Sequence, residues 1–211
     1  MQFPKDHNPH NSEVEWWYVW GKLNNVFIHW ALFKKGKKLV VHSSVRNEGV
    51  EFCEKKCTDL SEAMVMGDSW MNIISPQFKC ECAFDCLPQI HEGYGREYYS
   101  IPKVGVKDGG LWGDGWFDHA WGDIPTEDWH WVSIKFNDGS ETIITGTEQH
   151  CRNILKENSY LLNMIGEEEI FQPKHGWPYS EQPFILSRHE ETIGHGMLER
   201  TYRRKEKWRG R

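Results

Sequence analysis

Apolar and polar residues alternate with a period of two over much of the chain, the signature of half-buried strands. Residues 14–23 and 26–34 read as two extended segments joined by Asn24-Asn25, a dipeptide that tolerates the positive φ of a tight hairpin turn. A third segment, 39–45, follows the turn Lys35-Gly36-Lys37, and 78–84 reads as another strand. The clearest hairpin joins 129–136 to 141–147 through Asn137-Asp138-Gly139-Ser140, and a last strand is predicted over 193–202. Only 151–165 has helical character, and Asn153, Asn158 and Asn163 work against it. The pattern predicts an all-β protein, an antiparallel barrel or sandwich in which closure would remove exposed edges.

The alternation also assigns faces. From residue 14, Val14, Trp16, Tyr18 and Trp20 fall on one side and Glu15, Trp17 and Val19 on the other. From residue 129, Trp129, Trp131 and Ser133 oppose His130, Val132, Ile134 and Phe136. Both sides of each strand carry large apolar groups, so neither reads as a solvent face.

Composition sharpens this. Among 211 residues there are 12 Trp, 10 Phe and 7 Tyr. Tryptophan fills a core expensively, because its ring is large and its N–H needs a partner when buried. So many of them point to an aromatic-lined cavity or binding face. At 38% hydrophobic and 27% charged, the chain is too apolar for disorder, and no apolar run is long enough for a spanning helix. The first residues lack the apolar core of a secretion signal, so the expectation is a cytoplasmic protein.

The net charge of −6 is unevenly spread: 200–211 holds seven basic residues against Glu206, leaving 18 basic and 30 acidic residues elsewhere. An acidic body argues against nucleic acid as a partner, and the basic tail reads as a solvated terminus. The six cysteines, at 53, 57, 80, 82, 86 and 151, do not follow a zinc spacing and read as reduced, small core residues.

Two clusters could carry chemistry. The first runs from Phe3 through Asp6, His7 and His10 into the aromatic strand; His7 and His10 have a spacing compatible with two metal ligands, although packing or capping is the simpler role. The second is Gly113-Asp114-Gly115-Trp116-Phe117-Asp118-His119-Ala120-Trp121-Gly122. A carboxylate beside an imidazole suits general acid–base work, but neighbours on a strand point to opposite faces, so Asp118 and His119 need not meet.

Five stretches in order carry a family resemblance: F-P-K-D-H-x-x-H with E-W-W-Y-V-x-G-x-L, then Tyr98-Tyr99-Ser100-x-Pro102, then G-x-G-W-F-D-H-A-W-G over 113–122. W-H-W-V-S-I-K-F-N-D-G over 129–139 and G-H-G-M-L-E-R-T-Y over 194–202 complete the set. Together they resemble the AttH / carotenoid 1,2-hydratase family, also called hydroxyneurosporene synthase-like. The resemblance implies a lipocalin-like β-fold, usually two halves, around a site for a hydrophobic ligand. This chain is shorter than typical members, with His130 where the family tends to have Asp and Ala120 where it tends to have Glu. The expected organisation is a lipocalin-like β domain over 1–147, then an abbreviated β segment over 148–211 that completes it or packs on it.

For function, the resemblance implies a long isoprenoid- or polyene-like small molecule, no cofactor and no metal. Asp118 would be the acid of a hydratase-type lyase and His119 its base or water holder. Trp16, Trp17, Trp121, Trp129 and Trp131 would wall the ligand, with Tyr18, Tyr99 and His7 also lining it. Tryptophan faces can steady a carbocation by about 0.5–2 kcal/mol each. Two alternatives remain open: an intramolecular cyclase of the Diels–Alderase type, needing only positioning and hydrogen bonds, and a non-catalytic carrier. A homodimer could supply a missing wall.

Overall fold

The computed structural model describes residues 1–47, 50–91, 96–122, 130–136, 141–146, 161–164, 179–188 and 191–201; beyond residue 122 that description is of the backbone ladder. The chain divides into two compact units, Met1–Ile124 and Pro125–Arg211. The expected boundary lay later, at 147. The 129–147 hairpin counted there with the first domain is strands His130–Phe136 and Glu141–Gly146 here, and the former pairs with Glu191–Thr201 within the second unit.

In the first unit the strands are β1 Val14–Leu23, β2 Val26–Lys35, β3 Lys38–Arg46, β4 Val50–Cys57 and β5 Met64–Met66. Then follow β6 Trp70–Ile74, β7 Lys79–Phe84, β8 Gln89–Ile90, β9 Arg96–Asp108 and β10 Leu111–Gly122. They form one antiparallel sheet in the order β4-β3-β2-β1-β10-β9-β7-β6-β5, with β8 added on β9. The second unit has β11 His130–Phe136, β12 Glu141–Gly146, β13 Leu161–Met164, β14 Tyr179–Arg188 and β15 Glu191–Thr201, in the order β12-β11-β15-β14-β13. Within 151–165, where helix was considered, the described piece is the strand β13.

The first sheet is a curled half-barrel. The indole N–H of Trp30 on β2 reaches the carbonyl of Ile74 on β6 at 3.2 Å, which ties its two wings together. Among the described residues β4 and β5 are edges rather than partners, so the expected closure is not drawn by them. Both edges are suited to standing alone: β5 has three residues, and β4 carries Glu51, Glu54, Lys55 and Lys56.

The centre of the sheet is the β1–β10 pair, which sets Val14 opposite Gly122 and Leu23 opposite Gly113. Glycines permit the close approach: a Cβ at Gly113 would stand 1.8 Å from the Lys22 carbonyl oxygen, and one at Gly115 would stand 2.6 Å from that of Trp20. A register shift between Gly115 and Phe117 marks an irregularity in the β9–β10 ladder at the same place. The β1–β2 turn places Asn24 at φ 55°, as its sequence predicts.

Alternation then sorts side chains between two faces. Trp17, Val19, Trp30, Leu32, Val41, Tyr99, Ile101 and Phe117 share one face and belong to the hydrophobic core, which also takes in Met71 and Ile73 from the far wing. The opposite face presents Tyr18, Trp20, His29, His42, Tyr98, Ser100, Trp116 and Asp118, all of them also buried. Around β1, β9 and β10 both faces of the sheet are therefore buried, and each carries polar side chains among its apolar and aromatic ones.

Candidate functional site

The register of β1, β10 and β9 builds two clusters, one on each face, from residues adjacent in sequence. On the core face Trp17 stands opposite His119, and His119 opposite Tyr99. Glu15 lies one diagonal away, fully buried, with Oε1 2.9 Å from His119 Nε2 and 2.9 Å from His10 Nδ1. Its other oxygen accepts from Lys34 Nζ at 2.8 Å. The backbone N–H of His10 donates to the same carboxylate at 2.9 and 3.1 Å.

On the far side of the His119 ring, Nδ1 is 3.2 Å from the Tyr99 hydroxyl, which is 2.6 Å from His7 Nδ1. A carboxylate only accepts, so His119 Nε2–H is the donor to Glu15. Its Nδ1 then accepts from Tyr99, whose oxygen accepts from His7. The hydrogen-bond directions along this line agree.

The electrostatics follow. Burial drags Glu15 upward, but the hydrogen bonds from His119, Lys34 and His10 outweigh it, and its carboxyl sits below the usual range. Burial also pushes His119 down to about 4 despite Glu15, so its imidazole is neutral near pH 7. His7 is lowered too, by burial first, with Asp68 and Asp6 opposing. Rings close the cluster: His10 stacks on Trp121 with centroids 3.7 Å apart, and Trp17 on His119 at 4.7 Å. The short helical turn Lys5–His7 places His7 here, and the Trp17 indole donates to its carbonyl at 3.4 Å.

On the opposite face, Asp118 is buried among aromatic rings. Its Oδ1 accepts from the Trp116 indole at 2.8 Å and from the Tyr98 hydroxyl at 3.1 Å, and Ser100, its cross-strand partner, also favours the carboxylate. These donors are neutral. Burial dominates them and raises Asp118 to about 7. Ser100 in turn lies 2.7 Å from His91 Nε2, and His91 packs on Tyr98 at 4.6 Å. Alongside stands Trp20, buried, whose indole N–H finds no acceptor among the described residues.

The expected site residues are thus divided. His7, Trp17, Tyr99, His119 and Trp121 gather on the core face, whereas Trp16, Tyr18 and Asp118 belong to the other. Asp118 and His119 do not meet over one substrate, because consecutive side chains leave a strand in opposite directions. Trp129 lies outside the described residues, and Trp131 is placed only by its backbone pairing with Thr145 and Glu199.

Glu15, Tyr98, Ser100, His91 and Trp116 were not singled out as site residues from sequence. Glu15 had a readable signal, a carboxylate in register with Trp17 and Val19, and Tyr98, Ser100 and Trp116 lie inside the five motifs, whereas His91 had none. His7 and His10 turn their Nδ1 atoms to different partners, Tyr99 and Glu15. Among the described residues, the group with metal-ligating geometry is His10, Glu15 and His119, whose ligand atoms lie within 4.8 Å of one another. Lys34 already holds that carboxylate and sets a positive charge where a cation would bind, so hydrogen bonding explains the cluster without a metal.

No protein-family model and no curated protein matches this sequence. Its structure is similar to the crystal structure of a candidate AttH from Nitrosomonas europaea, with a TM-score of 0.66 at 15% identity, over 95% of this chain and 96% of that one. The lipocalin-like all-β fold expected from the five motifs is the fold observed.

Proposed function

We propose, starting from that shared fold, that the chain binds a long hydrophobic small molecule against the Asp118 face and hydrates one of its double bonds. The observation that carries this reading is Asp118 itself: a buried carboxyl whose donors among the described residues are neutral, in a setting of tryptophan and tyrosine rings. An acid poised near neutrality can give up a proton and recover it. In the proposed step the Asp118 O–H bond breaks as its proton adds to an alkene carbon. The carbocation left on the neighbouring carbon is flanked by aromatic faces. Water adds to that carbon, and the proton it sheds returns to the Asp118 carboxylate, so no second base is required. The Trp20 indole N–H is a donor for an oxygen on the bound molecule.

In this reading the core-face cluster positions rather than reacts. His119, held by Glu15 and Tyr99, fixes β10 so that Asp118 is presented on the other side.

Incubation with linear isoprenoid polyenes in ¹⁸O-labelled water, followed by mass spectrometry, is the test. A product heavier by one labelled water, and absent with Asp118→Asn, is the expected result. The same product formed undiminished by Asp118→Asn overturns the assignment. A product of unchanged mass favours the cyclase, in which Trp20 and Tyr18 polarise the substrate. Quenching of tryptophan fluorescence with no product favours a carrier.

A further inference from the structure

The hydration cycle returns its own proton to Asp118, but a carboxyl buried this deeply must still take its first proton from solvent and equilibrate with it, and that exchange needs a route. β8 is a two-residue strand on the edge of β9, with Gln89 opposite Ser100 and Ile90 opposite Tyr99. Gln89 and Ile90 are exposed, whereas Ser100 is fully buried. The next residue, His91, is half-buried between these surroundings and is fixed at both ends: its N–H donates to the Tyr98 carbonyl at 2.9 Å, and its Nε2 meets the Ser100 hydroxyl at 2.7 Å. Ser100 is also the direct cross-strand partner of Asp118 in the β9–β10 ladder, and its side chain is among the groups that favour the Asp118 carboxylate. The Ser100 hydroxyl therefore stands between the imidazole, which it meets at 2.7 Å, and the carboxyl across the strand, and a hydroxyl can both donate and accept.

We propose that His91 and Ser100 form a proton relay that loads Asp118 from solvent at the β8 edge. Resting on the reading of Asp118 as the working acid, it names the residues that supply it. A proton from water binds His91 Nδ1 as the Nε2 proton passes to the Ser100 oxygen. The Ser100 hydroxyl proton moves to the Asp118 carboxylate at the same time. One proton enters, one arrives, and serine is unchanged. His91 is left as the other neutral tautomer and resets by exchange with water. Neither residue touches substrate; both act through Asp118. The Tyr98 hydroxyl and Trp116 indole also reach Asp118, but the indole is donor-only and cannot pass a proton on. Burial favours the neutral imidazole of His91, so it holds a proton only in passing.

The test needs no substrate. The carboxyl stretch of Asp118, identified by its loss in Asp118→Asn, is followed by time-resolved infrared spectroscopy after a pH jump across about pH 5 to 8. His91→Gln, which keeps a hydrogen bond to Ser100 but cannot relay, is expected to slow protonation by about tenfold or more. Ser100→Ala should slow it similarly, and Ser100→Thr, which retains the hydroxyl, should be near wild type. Free imidazole should restore the rate in His91→Ala but not in Ser100→Ala, a rescue that a purely structural role would not produce. Wild-type rates in both His91→Gln and Ser100→Ala overturn the relay. A slowed relay in a protein that hydrates no polyene leaves the relay standing and removes the hydratase.

Discussion

Glu15 and Asp118 are two buried carboxyl groups on opposite faces of one sheet, three strand positions apart along the paired β1 and β10, and they are held in opposite states. Glu15 is met by an ammonium and two imidazoles, which keep it ionised although burial alone would neutralise it. Asp118 is met by an indole and two hydroxyls, and burial wins. Depth does not separate them, since both are buried. The difference is whether the hydrogen-bond donors bring charge. One carboxylate holds the structure together, and the other is free to exchange a proton.

The largest effect should come from Glu15→Gln. It leaves the Lys34 ammonium, largely buried, without its counter-charge, and turns one of the two acceptor oxygens into an NH2 donor, so that one oxygen cannot serve Lys34 as well as His119 and His10. Breaking one partner of such a pair costs about 3–5 kcal/mol, to be read as a lowered urea midpoint at pH 7. A loss under 1 kcal/mol would mean that the two carboxylates differ less than their surroundings imply.

Next comes the pH dependence at Asp118. Its folded value, about 7, exceeds the value of 3.8 expected when unfolded, so the folded state keeps its proton longer. That stability is present below about pH 4 and is lost as pH rises through about 7, by about 4 kcal/mol as an order of magnitude. Asp118→Asn should remove that fall, so its unfolding free energy between pH 4 and 8 should rise relative to wild type.

His119 has the opposite sign. Its folded value of about 4 lies below the unfolded 6.5, so stability is lost as pH falls from about 6.5 to about 4, by about 3 kcal/mol. His119→Gln should flatten that acid limb while leaving the Asp118 slope intact. Loss of both slopes together would show that the two faces titrate as one system.

The smallest effect is expected for Tyr98→Phe. Removing one neutral hydrogen bond should cost about 1 kcal/mol. The same change should move the Asp118 titration further up, since that bond favours the charged form; ¹³C NMR of the carboxyl would report it.

Much of the β-structure was legible in the sequence. β1 matches its predicted residues, β2 is one residue longer at its end and β3 one residue longer at each end, because alternation over aromatic residues is unambiguous and Asn24 or Gly36 punctuates the turns. β9 and β10 were not drawn as strands. In β10, Gly113 and Gly115 interrupt the pattern with residues that carry no side chain, and they are there because the backbone of β1 passes too close for a Cβ. β4 was missed because its charged residues hide the alternation, a consequence of its edge position. The candidate site was half legible. The motifs bring out Asp118, His119, Tyr99 and the tryptophans, but a motif groups neighbours in sequence, and a strand divides them between faces.

By itself the sequence determined which residues could share a face, since alternation along a strand is a property of local backbone geometry. It placed Glu15 with Trp17, and Asp118 apart from His119, before any partner strand was known. Only the tertiary structure decided who stands opposite whom: the pairing of Val14 with Gly122 brings Glu15 to His119 across 104 positions, and β8 brings His91 to Ser100. Charge states depend on those encounters, because a buried carboxyl takes its ionisation from the donors that reach it.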